Sequence, residues 1–367
     1  MLSGMDLDSL PSVFSRRLAL DSGMSSHELT ELLLLGEIVR ESRSWFRRPR
    51  ASLQPDQEEW QRVQGEHLDR LRLQLQRFPG HVASHTSAAL LHGLAVTVSP
   101  DAPVELTVLE GVQRSRTLPG VILHHCDSAG TEVAVVDGLR TTNLLRTVAD
   151  TARTRRLPHS TALVDDALRR GMLTTSDLRR QLDLQKRWSG RPKAVAALAL
   201  SDPRRETWLE SFSFVTLHER GLPIPLAQVD ILDDDGTFLG RTDGLQPESA
   251  SFYEADGRGK YFLDQSETVS PEQSVRGRLE AEQRRHGSLC GIGLRGVRWT
   301  SDEIVGDPES VASRAKQVLG PPPSPVRGYA VWNGERRRLP FSAERPAVDL
   351  EQIYVTRGMR ERARRTS

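Results

Sequence analysis

The residue pattern predicts a mixed α/β (α+β) protein built from several units. Three observations lead there. The chain has 367 residues, too many for one ordinary core. Stretches with the helical spacing of apolar residues alternate with stretches of strand-like alternation. A PPPSP run beginning at Pro321 then closes the patterned part as a stiff linker.

The composition is that of a soluble globular protein: 37% hydrophobic, 27% charged, with a formal net charge of +1. Overall charge therefore does not announce a nucleic-acid partner, and any basic surface is local. Lysine occurs only at Lys186, Lys193, Lys260 and Lys316, and every other basic residue is arginine, a bias expected of a GC-rich genome. The cysteines Cys126 and Cys290 lie far apart and form neither a disulfide framework nor a zinc pattern, so a reducing compartment fits. The N-terminal MLSGMDLDSLPSVFSRR carries acids and no apolar run, unlike a secretory signal. Apolar runs such as LLLLGEIV from Leu32 are too short to cross a bilayer. The expectation is a cytoplasmic protein with no membrane partner.

The first unit spans residues 10–50. Val13, Phe14 and Leu18 have helical spacing, Gly23 breaks it, and Ser25 or Ser26 caps a second helix carrying Leu29, Leu32 and Leu33. Gly36 ends that helix, and EIVRESRSWFRR reads as a short hairpin. Helix, turn, helix and hairpin in this order predict a winged helix. The second unit, residues 55–200, is a mixed α/β domain. It opens with the amphipathic EEWQRVQGEHLDRLRLQLQRF and continues with the helix SHTSAALLHGL, the strands VELTVLE and GVILHHC, and the helix TTNLLRTVADTA. Two further helices meet at Gly171, the later one capped by Thr174, Thr175 or Ser176. The third unit, residues 205–320, reads helix, three strands, helix, strand, helix, a mixed sheet flanked by helices. The arginine-rich tail, residues 321–367, shows little periodicity and is expected to be partly disordered or loosely docked, with Val331, Trp332, Ile353 and Tyr354 as its docking residues.

The chemistry concentrates in SFYEADG. Strand alternation points Phe252, Glu254 and Asp256 one way and Tyr253 and Ala255 the other. Adjacent carboxylates repel unless a cation neutralises them, and Mg2+ takes oxygen ligands of this kind. That repulsion predicts that Glu254→Gln stabilises the metal-free protein. A hairpin would place Asp243 beside Glu254, so these two are the candidate metal ligands. Glu206 and Glu210 lie one helical turn apart, and Lys260 follows the acidic pair. Such a set suits metal-assisted phosphodiester cleavage, with acids holding Mg2+ and a lysine orienting the nucleophile. The competing reading is a solvated turn ahead of Gly257.

Residues 206–319, through ERGLPIPLAQVDI, RTDG, YEADGRGKY and the helix with EAEQRRHG, resemble the endonuclease-like domains related to very-short-patch repair nucleases in the PD-(D/E)XK superfamily. The resemblance implies a restriction-endonuclease-like fold, with Asp243 and Glu254 as metal carboxylates, Glu206 or Glu210 as the helix acid, and Gln228 as a supporting polar group. Asp256 stands where many members of that superfamily have lysine, and Lys260 would have to compensate.

Residues 13 to 200 resemble the AbiEi-type antitoxins of actinobacteria through GMSSHELTELLLLGEIVRESRSWFRR, VASHTSAALLHGL, DGLRTTNLLRTVADTA and VDDALRRGMLTTSDL, in that order. That resemblance implies a DNA-binding regulator that opposes a nucleotidyltransferase-like toxin. DNA affinity rests on basic contacts to phosphate. The wing supplies Arg40, Arg43, Arg47 and Arg48, whereas the second helix offers only Ser26, His27 and Thr30 beside two glutamates. The alternative for this unit is a packing or protein-contact module.

Three functions therefore stand open: a DNA-associated antitoxin-like regulator, a magnesium-dependent endonuclease targeted by its N-terminal units, and an interaction protein with an inactive nuclease fold. Other polar clusters read as structural. His81, His85 and His92 flank one helix, His124 and His125 adjoin Cys126, and Arg146 and Asp150 form a helical ion pair. Lys186, Arg187, Arg191 and Lys193 around Trp188 read as a solvated loop or a nucleic-acid patch.

Overall fold

A computed structural model describes residues 7, 10, 13–42, 44–49, 58–108, 114–125, 133–257, 282–322, 324–351 and 353. The chain has the mixed α/β character predicted, with three separate sheets. It divides into two compact units, Met1–Thr151 and Ala152–Ser367.

In the first unit, β1 (Val13–Ser15), β3 (Trp45–Arg47) and β2 (Val39–Ser42) form a small antiparallel sheet in that order. The helices α1 (Arg16–Asp21) and α2 (Ser26–Leu34) fall between β1 and β2. Val13 and Phe14, expected in a helix, lie in a strand instead, because Phe14 pairs with Phe46 and the helix starts only after Ser15 caps Leu18. Ser25 and Glu28 close a reciprocal capping box on α2, and Gly36 takes φ +73° just past its end. Phe14, Ala19, Leu29, Ile38 and Phe46 make a core of their own.

The same unit holds a second sheet, β6-β7-β5-β4-β9-β8. Its strands are β4 (His81–Ala83), β5 (Val104–Val108), β6 (Arg116–Leu118), β7 (Val121–His124), β8 (Val133–Val136) and β9 (Leu139–Thr142). Leu71 of α3 (Glu59–Arg77) and Ala88 and Leu91 of α4 (His85–Leu91) pack with Val104, Leu106, Val121 and Leu123. Arg146 and Asp150, both buried on α5 (Leu144–Thr154), pair at 2.5 Å, as their spacing predicts.

Among the α3 side chains that face inward is His67, whose Nε2 lies 2.8 Å from Ser87 Oγ. Burial, with Arg70 nearby, lowers its pKa from 6.5 to about 4. The unfolded chain then takes up the proton first, so stability is full above pH 6.5 and is lost as pH falls from there towards 4. This group alone should cost about 2 kcal/mol at pH 5 relative to neutral pH. Urea unfolding at the two pH values, in the parent and in His67→Gln, reads the effect; a variant with the parent's pH slope would assign it elsewhere.

The second unit begins with α6 (Leu157–Arg169), α7 (Thr175–Leu184) and α8 (Arg191–Leu200). The sequence places these helices with the middle domain. Leu157, Ala196, Ala197 and Leu200 instead share a core with Val215 of α9 (Trp208–His218) and Ile224. The central sheet runs β13-β12-β11-β10-β14-β15. β10 (Leu226–Leu232), β11 (Phe238–Gln246) and β12 (Ser251–Asp256) are antiparallel, and β13 (Arg295–Thr300) lies parallel to β12. Helix α10, described over residues 282–291, occurs between β12 and β13, and α11 (Ser301–Gly306) and α12 (Pro308–Gln317) follow. β12 is covered on both faces. Tyr253 and Ala255 pack with α9, α11 and α12 through Phe214, Ile304 and Val311, while Phe252 packs with Leu245 and with Leu289 of α10.

The tail carries two strands where little periodicity was expected, while Val331 and Trp332 dock as expected. β14 (Tyr329–Trp332) pairs with β10, and β15 (Glu335–Arg338) pairs with β14. Four apolar or aromatic residues at an open sheet edge suffice for this, too few to register as periodicity. Further along, Ile353 packs against the core that contains Leu157 and Ile224, and Tyr354 lies outside the described residues. No helix among the described residues is long and apolar enough to cross a membrane.

Candidate functional site

Of the acids singled out in the sequence, Asp243, Glu254 and Asp256 lie on β11 and β12 of the second unit's sheet and Glu210 lies on α9, and they fall in two groups. The first is centred on Glu210. Thr207 caps α9 by accepting from the Glu210 backbone N–H, and the Glu210 carboxylate accepts in return from Thr207 Oγ1 at 3.0 Å and the Glu206 N–H at 3.0 Å. Gln228 Nε2 donates to the same carboxylate at 2.9 Å. Gln228 sits at φ +53°, and the β10–β11 ladder pairs Ala227 with Gly244 and Val229 with Thr242 on either side of it. A glutamine held in the left-handed region costs on the order of 1 kcal/mol and persists where its surroundings over-determine it. α9 comes close because Gly244 follows Asp243: a Cβ there would lie 2.8 Å from the Phe214 ring. Burial and the nearby charge of Asp243 raise the pKa of Glu210. Of the two helix acids expected from the sequence, Glu210 therefore joins the site, whereas Glu206 is exposed and lies near Arg241.

Asp243 links the two groups. The Gly244–Tyr253 pairing makes it the cross-strand neighbour of Glu254, and alternation gives both the face that also carries Leu245 and Phe252. Beyond that pair the ladder stops, and Asp243 Oδ2 accepts from the Ala255 N–H at 2.9 Å.

The second group is an ion-pair network. Glu254, only 2% exposed, has Arg285 of α10 2.7 Å from Oε1 and accepts from Arg298 of β13 at 2.5 Å. Parallel pairing puts Glu254 directly opposite Arg298. Asp256 meets the same guanidinium at 3.1 Å, and Glu282 bridges Arg285, at 2.8 Å, and Arg298. Burial opposes ionisation of Glu282, but its bonds to the two arginines lower its pKa overall.

The sequence joins Asp243 and Glu254 as metal ligands beside a helix acid. Here they have different partners, and among the described residues Glu210, Asp243 and Glu254 do not bring three carboxylate oxygens within 4.8 Å of one another. Repulsion between Glu254 and Asp256 is relieved by arginine, a solution invisible to a motif reading because Arg285 and Arg298 come from a helix and a strand far along the chain. Glu282, Arg285 and Arg298 are the residues that motif reading missed. Lys260 lies outside the described residues.

On the β2–β3 hairpin, Arg40 is exposed, with its guanidinium 5.8 Å from the Phe46 ring centre, and Arg47 is half-buried on β3. Arg48 donates to the Leu10 carbonyl at 2.8 Å, which gives it a role in the fold. Arg43 lies outside the described residues. In the basic cluster near Trp188, Arg191 is tied to Asp183 and the Leu182 carbonyl, and Arg153 lies over the Trp188 ring.

No protein-family model matches the chain. It is similar to two proteins of Mycobacterium tuberculosis, the uncharacterized protein MT2308 of strain CDC 1551 / Oshkosh and the uncharacterized protein Rv2248 of strain H37Rv. Each is 28% identical over 170 residues, which is 46% of this chain and 60% of the relative's own length.

Proposed function

We propose that the chain is a DNA-associated regulator of the AbiEi antitoxin kind whose second unit is an endonuclease-like scaffold. The observation that carries the reading is the β1–α1–α2–β2–β3 order with its β2–β3 hairpin, the arrangement of a winged helix, bearing Arg40 and Arg47 on the wing. A nucleotidyltransferase-like toxin is the partner that this reading brings with it. The second unit supports its half of the proposal through the helix, three antiparallel strands, helix and parallel strand around Asp243. The wing is tested by fluorescence anisotropy on duplex DNA over a range of salt. Replacing Arg40 and Arg47 with alanine should weaken binding on every sequence and lower the log–log salt slope by about 1–2, since each lost phosphate contact releases roughly 0.9 fewer counterions. An unchanged slope would remove the wing from the interface.

A magnesium-dependent endonuclease is the second reading. It is favoured by one feature, the buried Glu210 with raised pKa beside Gln228 and Asp243, because perturbed acids cluster at functional sites. The arginines on Glu254 and Asp256 weigh towards the scaffold. Arg298 supplies beside Asp256 the positive charge that lysine would carry in a PD-(D/E)XK site.

A further inference from the structure

We propose that His85, Glu105 and His124 of the first unit form a binding site for a divalent transition-metal ion, with zinc the first choice. The ligand atoms of these three side chains all lie within 4.8 Å of one another. They come from three elements: His85 opens α4, Glu105 sits on β5 and His124 ends β7. β5 and β7 are parallel neighbours, with Thr107 paired to His124. Alternation gives Glu105 and His124 one face of the sheet, out of step with the core residues Leu106 and Leu123.

The spacing suits coordination. His124 Nε2 and Glu105 Oε1 are 3.1 Å apart. Two ligands about 2.0 Å from a tetrahedral ion lie about 3.3 Å from each other. The His85 and His124 rings stack with centroids 3.7 Å apart at 22°, so their in-plane nitrogen lone pairs converge on one ion only after the rings swing well apart. The surrounding hydrogen bonds orient the ligands as outer partners do in metal sites. Ser84 Oγ lies 3.0 Å from His85 Nδ1, and the second oxygen of Glu105 accepts from the Thr86 N–H at 3.0 Å. His85 is also held at φ +49°, a strained backbone for a residue with a side chain.

Glu254 shows the contrast. It is neutralised by guanidinium groups, whereas among the described residues Glu105 is paired with an imidazole. The site is shielded but reachable: His85 is 4% exposed, and the side chains of His124 and Glu105 are 19% and 13% exposed. Two imidazoles and a carboxylate suit zinc and its first-row neighbours rather than Mg2+, which prefers an all-oxygen shell. Three protein ligands leave a fourth position for water or an exogenous ligand.

The test uses the full chain after chelator treatment, titrated with zinc by calorimetry and with Co2+ by visible absorption. Expected are one tight zinc per chain, unaffected by excess Mg2+, and the intense d–d bands of low-coordinate cobalt. Glu105→Gln and His124→Asn should each weaken zinc binding at least about a hundredfold, while His125→Ala, at the exposed neighbouring position, keeps parental affinity. Circular dichroism checks folding. If Glu105→Gln unfolds, His124→Asn at the more exposed ligand decides. A parent that binds no zinc, or variants that bind it as the parent does, would overturn the site and leave the trio a hydrogen-bonded part of the fold.

Discussion

Arg205→Met should destabilise the second unit by about 3–5 kcal/mol, a large fraction of a domain's stability. Arg205 and Asp165 are an ion pair at 2.9 Å with side chains 1% and 2% exposed. Asp165 also accepts from the Asp202 N–H at 2.7 Å, which ties the end of α6 to the turn leading into α9. Burial drives the Asp165 carboxyl towards its neutral form, and Arg205 is the main opposing influence. Methionine fills much of the volume but leaves a carboxylate with no cation in an apolar place. The carboxyl pKa then rises further, so the penalty is largest at neutral pH and shrinks as pH falls through the raised value. Adding Asp165→Leu should recover most of the loss, because replacing both members of a buried pair is far cheaper than orphaning one. Denaturant midpoints at constant m-value measure all three variants. A cost under about 1 kcal/mol for Arg205→Met would mean that water reaches Asp165 when the arginine is gone.

What was legible in the sequence was local. The serine cap on α2, the Gly36 cap, the Arg146–Asp150 pair and the strand alternation of SFYEADG depend on residues no more than a few positions apart, and the structure has each of them. What was not legible depends on partners brought from afar. β1 is a strand because residue 13 meets residue 47, and β14 joins the sheet because β10 offers an open edge. Helices α6 and α8 share a core with α9 although their sequence reads continuously with the preceding helix. The candidate site divides in the same way. Asp243, Glu254 and Glu210 were identifiable by residue type and spacing. The ion pairs of Glu254 were not, because they come from Arg285 and Arg298, 31 and 44 positions beyond it. His85 and His124 were read as structural and Glu105 was not singled out, since their separation along the chain resembles no ligand spacing; only the parallel β5–β7 pairing and the approach of α4 bring them together.

Those distant arginines also reverse an expectation for Glu254→Gln. With repulsion from Asp256 alone, the change would stabilise the metal-free protein. With Glu254 buried between two guanidiniums, it should cost about 2 kcal/mol instead. If the second unit cleaves DNA, the same substitution should lower Mg2+- or Mn2+-dependent cutting by at least about a thousandfold, because the neutral amide cannot replace a metal-binding charge. Arg298→Ala separates the two roles. It removes the guanidinium that Asp256 meets and leaves Glu254 and Glu282 with Arg285. Stability without metal should fall, and affinity for Mg2+ or Mn2+ should rise, because a divalent ion then supplies the missing positive charge. Calorimetry and unfolding with and without metal read both changes, and a supercoiled-plasmid assay reads cutting. Cleavage by the parent, lost in Glu254→Gln, establishes the nuclease. A parent that cuts with neither metal, together with an Arg298→Ala variant that gains metal affinity, describes a site in which arginine has taken the place of the catalytic ion. If that variant gains no metal affinity either, the acids serve the sheet's stability alone, and function rests with the first unit.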